Sequence, residues 1–364
     1  MLKFGKSIMN HKYYKSKYID RVRILVPPKG TQEMHRNTRI DFYSKEFEKK
    51  LKEDLNFKNL NRYPDVDLLY AKLAEFHNLS ADNFLLTSGI DGGLKVVFEM
   101  CSEKGSNIVC LTPTYGMYHV YSEAFETNMI EVKSKRDTLT IDLNEVLESI
   151  NDTVDIIFIV NPHEPIEHIF NLDDLTKIFK KAKQHDVLVF LDEAYYMFGS
   201  PTAINLITEY ENLVVARTFS KGMGLPAIRL GYLISNKDFI KYLATKRFAH
   251  ETNSITIDIA IWAIDNIDIM KNYAKDVSET RNWLKNELEN LEYRTHGEKS
   301  NTILVDLKSK EMANYVTDKL KEKNIWVRGY LPTPVENYIS VTMGSKELVQ
   351  VFLKEFNHII YTRS

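Results

Sequence analysis

Cysteine is nearly absent from this chain: only Cys101 and Cys110 occur in 364 residues. Two thiols in apolar segments exclude a disulfide-stapled secreted scaffold and read as buried side chains in a reducing compartment. Metal-ligand spacing is missing as well, because His163 and His168 stand without a cysteine or carboxylate set at zinc intervals. No apolar run approaches the ~20 residues that span a bilayer, so no membrane partner is expected. The lysine-rich N-terminus has no apolar core of the kind a secretory signal carries. No basic block stands out, and the formal net charge is −2, which argues against nucleic acid as a partner. Repeats and low-complexity tracts are absent. What is left is the composition of a soluble cytoplasmic enzyme, with 44% hydrophobic and 27% charged residues.

The length exceeds one ordinary core and predicts a large unit with a smaller one. Residues 1–45 are mostly polar, and Pro27-Pro28-Lys29-Gly30 marks irregular chain, so this segment is expected to be an arm or edge element. Residues 46–245 alternate strand-length apolar runs with amphipathic stretches. Helices are predicted over 45–56, 67–76, 92–100, 143–150 and 175–183, and strands over 84–86, 108–111, 128–132, 155–160, 187–191, 213–216 and 228–234. This alternation predicts an α/β fold with a mostly parallel, helix-covered sheet. Near residue 245 the pattern changes. Helical sequence over 255–291 and 310–322, with strands at 303–305, 326–328 and 338–342, predicts a smaller α+β C-terminal domain over 246–364.

Polar residues at three strand ends carry the chemistry. The apolar run Leu213-Val214-Val215-Ala216 leads into Thr218-Phe219-Ser220-Lys221, and Arg229 follows eight residues after the lysine. A hydroxyl-rich turn at the end of a buried strand can cradle a phosphate. A desolvated lysine beside it is partly neutral, and so can hold an aldehyde cofactor as a Schiff base. Taken alone, the stretch also reads as a surface lysine and arginine after a core strand. Upstream, Asp155–Val160 runs into Asn161-Pro162, and Val187–Leu191 runs into Asp192-Glu193-Ala194-Tyr195. The spacing is 31 residues from Asn161 to Asp192 and 29 from there to Lys221, room each time for a helix and a strand. Parallel strands would bring Asn161, Asp192, Tyr195 and Lys221 to one sheet edge, where ligands bind in open α/β sheets. On a pyridine aldehyde, Asp192 can keep the ring nitrogen protonated while Asn161 and Tyr195 bond the ring hydroxylate.

These residues give the chain a resemblance to fold-type I pyridoxal-phosphate enzymes of the class I/II aminotransferase family, nearest the histidinol-phosphate aminotransferase branch. The resemblance runs from Arg62 to Gly344, and its pieces come in family order. It implies that Tyr63, in Arg62-Tyr63-Pro64-Asp65, reaches the cofactor phosphate of a neighbouring subunit in a homodimer with shared sites. It implies that Gly89, Ile90 and Asp91, after Ser88, bind the phosphate at a helix N-terminus. Tyr115, in Pro113-Thr114-Tyr115-Gly116, would stack on the cofactor ring. Asn161, Asp192, Tyr195, Thr218, Ser220, Lys221 and Arg229 complete the cofactor set, with Lys221 and Asp192 catalytic.

Two stretches depart from the family. Asn161-Pro162-His163-Glu164-Pro165-Ile166-Glu167 stands where the family reads Asn-Pro-Asn-x-Pro-Thr-Gly; either this is a loop without a chemical role, or His163 or Glu164 faces a substrate amine or hydroxyl. Tyr338-Ile339-Ser340-Val341-Thr342-Met343-Gly344 places Ser340 where the family has the arginine that forks onto a substrate carboxylate. Arg328, in Trp326-Val327-Arg328, is the nearest cation by motif for a substrate phosphate. The leading expectation is therefore an aminotransferase acting on a small phosphorylated compound, for example a phosphorylated ketone such as dihydroxyacetone phosphate. The alternative is a decarboxylase of phosphoserine or phosphothreonine, in which the missing clamp lets the carboxylate leave. A third reading, a binding protein without activity, sits poorly with Lys221, Asp192 and Asn161 together.

Overall fold

The computed structural model describes residues 26–55 and 60–363; the first 25 residues of the expected arm lie outside it. A seven-stranded sheet organises the first part of the chain. Its strands are β2 (Phe84–Thr87), β3 (Asn107–Thr112), β4 (Asn128–Lys133), β5 (Ile156–Val160), β6 (Leu188–Asp192), β7 (Leu213–Thr218) and β8 (Gly231–Ile234), in the order β2-β8-β7-β6-β5-β3-β4. All neighbours are parallel except β8, which runs against both β7 and β2. The ends Thr87, Thr112, Val160, Asp192 and Thr218 therefore share one edge, as the spacing predicts.

The central strands read as unbroken apolar runs because both faces are covered. One face packs Val109, Leu111, Ile157, Ile159, Val189, Leu191 and Val215. Residues of opposite parity, Ile108, Cys110, Ile156, Phe158, Phe190, Val214 and Ala216, pack on the other face. The helices of the sheet are α1 (Lys45–Asp54), α2 (Asp67–His77), α3 (Gly89–Cys101), α4 (Met117–Ala124), α5 (Leu143–Ser149), α6 (Leu172–Gln184) and α7 (Lys237–Leu243). Side-chain caps start several of them: Ser44 accepts from the Phe47 N–H, and Asn171 from the Asp174 N–H. Among the described residues no helix is long and apolar enough to cross a membrane.

Beyond the sheet come α8 (Ser254–Asp265), α9 (Ile267–Asn290), α10 (Lys310–Glu322) and α11 (Lys346–Arg363). Strands β9 (Thr295–His296), β10 (Thr302–Asp306) and β12 (Tyr338–Thr342) form an antiparallel sheet in the order β12-β10-β9. From the N-terminal segment, β1 (Gln32–Met34) pairs in parallel with β11 (Ile325–Val327). Several sequence boundaries move. The stretch over 255–291 is two helices, broken at Asn266, whose backbone is non-helical. Helix α3 starts at Gly89 rather than 92, and β8 at Gly231 rather than 228, because Pro226–Ile228 makes a 3₁₀ turn. Ile257, Ala260 and Trp262 of α8 join the core of the large sheet, whereas Tyr273, Ala274 and Val277 of α9 join the core of the second sheet.

One buried ion pair ties β6 to β7. Glu193 and Arg217 are both almost wholly buried, with Arg217 Nη2 donating to Glu193 Oε2 at 2.8 Å and Nε at 3.1 Å. Thr202 Oγ1 also donates to Oε2 at 2.8 Å, and the Ala203 N–H satisfies Oε1 at 2.7 Å. The Arg217 guanidinium lies 3.8 Å from the Tyr196 ring centroid. Removing one partner strands the other charge, so Arg217→Met is expected to lower stability by about 3–5 kcal/mol in urea unfolding, and adding Glu193→Gln to recover part of that loss. Equal stability of wild type and Arg217→Met would contradict this.

Candidate active site

The sheet edge gathers an anion cradle. Helix α3 begins directly after β2, and Ser88 provides no side-chain cap, so the first N–H groups of the helix are left for another acceptor. Gly89 has φ +67°, and a Cβ there would stand 2.8 Å from Arg229 Nη2. The absence of a side chain is what lets the guanidinium approach the helix start. At the end of β7, Thr218 Oγ1 accepts the Ser220 N–H at 3.1 Å and lies 3.0 Å from Ser220 Oγ. Arg229 Nη1 reaches Ser220 Oγ at 3.5 Å, and its Nη2 stands 3.9 Å from Asp91 Oδ2. Ile90 is partly buried and packs against the second core and the sheet face that carries Ile108 and Phe158. N–H groups, two hydroxyls and a guanidinium thus converge, as a phosphate requires.

Lys221 lies beside this cradle. Its Nζ donates to the Asn37 carbonyl at 2.8 Å and sits 5.6 Å from the Tyr195 ring centroid. Burial lowers its pKa to about 8, with Glu164 and Asp192 opposing the fall and Arg328 adding to it. Asp192, at the end of β6, accepts the Ala194 N–H at 2.9 Å and the Tyr118 hydroxyl at 3.1 Å. Burial raises its pKa to about 6, against the pull of those two donors and of Lys221. Tyr115 is partly exposed next to Asp91, and burial raises its phenol.

Not every expected contact takes the expected form. Asn161 is fully buried, and its carboxamide is engaged at both ends with Phe170: Nδ2 donates to the carbonyl at 3.1 Å and Oδ1 accepts the N–H at 3.0 Å. It closes the loop after β5, with one amide hydrogen left over. Tyr195 is buried, with its hydroxyl accepting from Asn37 Nδ2 at 3.0 Å. Tyr63 is 83% exposed and stacks on His250, 4.4 Å between centroids. His163 pins the loop to the segment bearing Tyr115 by donating from Nε2 to the Pro113 carbonyl at 2.8 Å, and burial lowers its pKa to about 4.

The second sheet contributes the far wall. Arg328 and Ser340 exchange both backbone hydrogen bonds, at 2.9 and 2.8 Å, so their side chains leave the same face. Ser340 is buried and neutral, while the exposed Arg328 guanidinium has no ion pair or side-chain hydrogen bond among the described residues. Sequence reasoning missed Asn37 here and Tyr118 at Asp192. Asn37, in the left-handed region at φ +53°, links Lys221, Tyr195 and Glu164, the last at 3.2 Å. Glu164 also accepts from Thr302 Oγ1 at 2.8 Å. Tyr118 followed the flagged Tyr115 by three residues and could have been found as the helical neighbour of that position. Nothing local marks Asn37.

The sequence profile of the aminotransferase class I and II family matches residues 38–356. The chain belongs to that family. A histidinol-phosphate aminotransferase of Brachyspira hyodysenteriae is 33% identical over 318 residues, covering 86% of this chain and 88% of the relative. In three dimensions, the histidinol-phosphate aminotransferase of Sinorhizobium meliloti, solved with pyridoxal 5'-phosphate, superposes with TM-score 0.83 at 19% identity, over 91% of each chain. The L-threonine-O-3-phosphate decarboxylase of Porphyromonas gingivalis shares the fold with TM-score 0.73 at 20% identity, over 90% of this chain and 99% of the other. The enzyme is an aminotransferase of the pyridoxal-phosphate-dependent kind. Its donor set fits that cofactor, for the edge offers an anion cradle that a Cβ at residue 89 would fill, a lysine of lowered pKa, and a buried carboxylate.

Two outcomes follow from this geometry. Gly89→Ala should weaken binding of pyridoxal 5'-phosphate at least tenfold, because left-handed backbone costs a non-glycine residue roughly 1–2 kcal/mol and the Cβ displaces Arg229; unchanged affinity by calorimetry would refute the cradle. Acylation of Lys221 in cofactor-free protein, followed by mass spectrometry, should titrate near pH 8. It should move to lower pH in Glu164→Gln, since that carboxylate favours the protonated amine.

Proposed function

We propose that the enzyme exchanges the amino group of a small phosphorylated amine of the kind its relatives are named for, histidinol phosphate, and does so as a homodimer. The observation carrying this reading is the unpartnered Arg328 guanidinium, on the same face as neutral Ser340 and electrostatically felt at Lys221. A phosphate ester suits Arg328, which can fork two N–H donors onto one anion. The relatives' name favours an amine phosphate over the ketone example, dihydroxyacetone phosphate.

Gly89, Ile90, Asp91, Thr218, Ser220 and Arg229 would hold the cofactor phosphate in this reading, Tyr115 would stack on the ring, and Asn161 and Tyr195 would bond its hydroxylate. When bound, pyridoxal phosphate supplies an electron sink for the carbon that bears the amine. Lys221 would hold the cofactor's aldehyde and carry the proton to and from the substrate carbon. With a pKa of about 8 it is poised to give and take a proton near neutrality. Asp192 would accept a hydrogen bond from the ring nitrogen and keep its proton in place. Tyr118 fixes the orientation of its carboxylate. Tyr63, exposed here, is assigned to the site of a second copy.

Arg328→Ala should raise KM for histidinol phosphate about ten- to a hundredfold, the worth of a charge-assisted contact, and leave the unphosphorylated alcohol little affected. Lys221→Ala should abolish turnover with the fold retained. Wild type that handles both alcohols equally would sink the phosphate reading, and release of CO₂ from phosphoserine or phosphothreonine, instead of amine transfer to a keto acid, would establish the decarboxylase.

A further inference from the structure

We propose that a cleft beside the Lys221 turn is a second ligand site, separate from the reactive edge, and that it binds a zwitterionic α-amino acid with an apolar side chain.

The cleft, about 500 Å³, lies between the segment joining β1 to α1, the first turns of α9 and the start of α11. None of the residues assigned above to cofactor or substrate lines it. It adjoins the turn after β7: the Tyr43 hydroxyl donates to the Gly224 carbonyl, and a Cβ at Gly224 would stand 3.1 Å from Arg39 Cδ.

Arg39 points to an anion. Its guanidinium lies 4.2 Å from the Tyr43 ring centroid and 4.2 Å from that of Tyr273. Two rings stacked on a guanidinium leave its edge, which is where the N–H groups point. Among the described residues that edge has no ion pair within 4.0 Å and no hydrogen bond, and Nε is buried without a partner. Tyr273, 6% exposed, also keeps an unpartnered hydroxyl. Buried polar groups in a folded protein find partners, and a carboxylate takes two guanidinium N–H groups in one plane.

The other charges require that this anion travel with a cation. Asp276, one turn beyond Tyr273 on α9, lines the cleft, exposed and without an ion pair among the described residues. Asp41 lines it too, with both oxygens accepting the Ser345 N–H at 2.8 and 3.0 Å. A bare anion drawn to Arg39 is opposed by these carboxylates, whereas an adjoining ammonium group makes Asp276 attractive. The rest of the wall is apolar. Phe42 is 97% exposed, and Ile269 and Leu348 also line the cleft. An apolar side chain laid there takes the Phe42 ring out of water. Carboxylate, ammonium and apolar side chain on one carbon describe an amino acid of the leucine or phenylalanine kind.

The probes are L-phenylalanine, phenethylamine, which lacks the carboxylate, and 3-phenylpropanoate, which lacks the ammonium. Each is titrated calorimetrically into pyridoxal-phosphate-loaded enzyme reduced with borohydride, which fixes the cofactor on Lys221 and keeps amines from reacting there. Phenylalanine should bind tightest, and phenethylamine at least about tenfold more weakly, the size of a lost charge-assisted pair. Arg39→Ala should weaken phenylalanine about ten- to a hundredfold. Asp276→Asn should weaken it about two- to fivefold, as suits an exposed ion pair, without weakening 3-phenylpropanoate. Where Arg39→Ala fails to fold, the comparison of phenylalanine with phenethylamine on wild type carries the test. No binding of phenylalanine at millimolar concentration, binding no tighter than that of phenethylamine, or a Kd unchanged in Arg39→Ala overturns the proposal. Any of these leaves the phosphorylated-amine reading standing, because no residue of the cleft takes part in it.

Discussion

The site depends on the ion pair between Arg217 and Glu193. Each member is the chain neighbour of a residue at the reactive edge: Glu193 follows Asp192, and Arg217 precedes Thr218. Because side chains alternate along strands, locking the pair on one side of the sheet aims Asp192 and Thr218 to the other. Two charges removed from water are a poor source of net stability. What they provide is direction, since a fully satisfied buried network admits few alternative arrangements. The pair is closed by Thr202, the Ala203 N–H and the face of Tyr196. It is a rigid support beneath a turn whose own residues must stay available to a ligand.

A second constraint joins the two halves of the chain. Asn37 arrives on the segment that starts in β1, a strand paired with β11 beside the second core. Its N–H donates to Thr342 Oγ1 at 3.0 Å on β12, its carboxamide meets Tyr195 and Glu164, and its carbonyl takes Lys221. One residue thus touches the second sheet, the end of β6, the loop after β5 and the turn after β7. Its left-handed backbone, tolerated by asparagine, lets the carbonyl and the side chain address different neighbours. The lysine amine is consequently surrounded before any ligand arrives, and burial rather than a cationic neighbour is the first cause of its lowered pKa.

Strand ends were legible in the sequence because a fully covered parallel strand is an unbroken apolar run, so the polar residue that ends it stands out. That is how Asn161, Asp192 and Lys221 declare themselves, and why their spacing identifies one edge. The glycine of the cradle was legible by motif. Asn37, Tyr118 and the pairing of Arg328 with Ser340 were not, since each depends on a contact between segments far apart in the chain or on which face of a short helix turns inward. Helix starts were blurred for a related reason. At Gly89 no capping side chain marks the start, because the free N–H groups there are what a phosphate would use. The docking of α8 on the large sheet was hidden for a like reason: apolar periodicity shows that Ile257 and Trp262 are buried, not against which sheet.

The pairing of β12 with the chain after β11 then bears on chemistry. In an antiparallel pair that exchanges both hydrogen bonds, the two side chains stand abreast on one face, so Arg328 lies roughly one strand spacing, about 4.8 Å, from the line of Ser340. Positive charge is therefore present on this face but displaced by one strand from the position where the resemblance places an arginine. Burial separates the two places further: Ser340 is enclosed, whereas Arg328 is exposed. An anion close to the reacting carbon would have to be met at the enclosed place, and an anion on a longer arm at the exposed one. Strand register alone thus sets where positive charge stands on this face: at the exposed rim, one strand away from the enclosed serine.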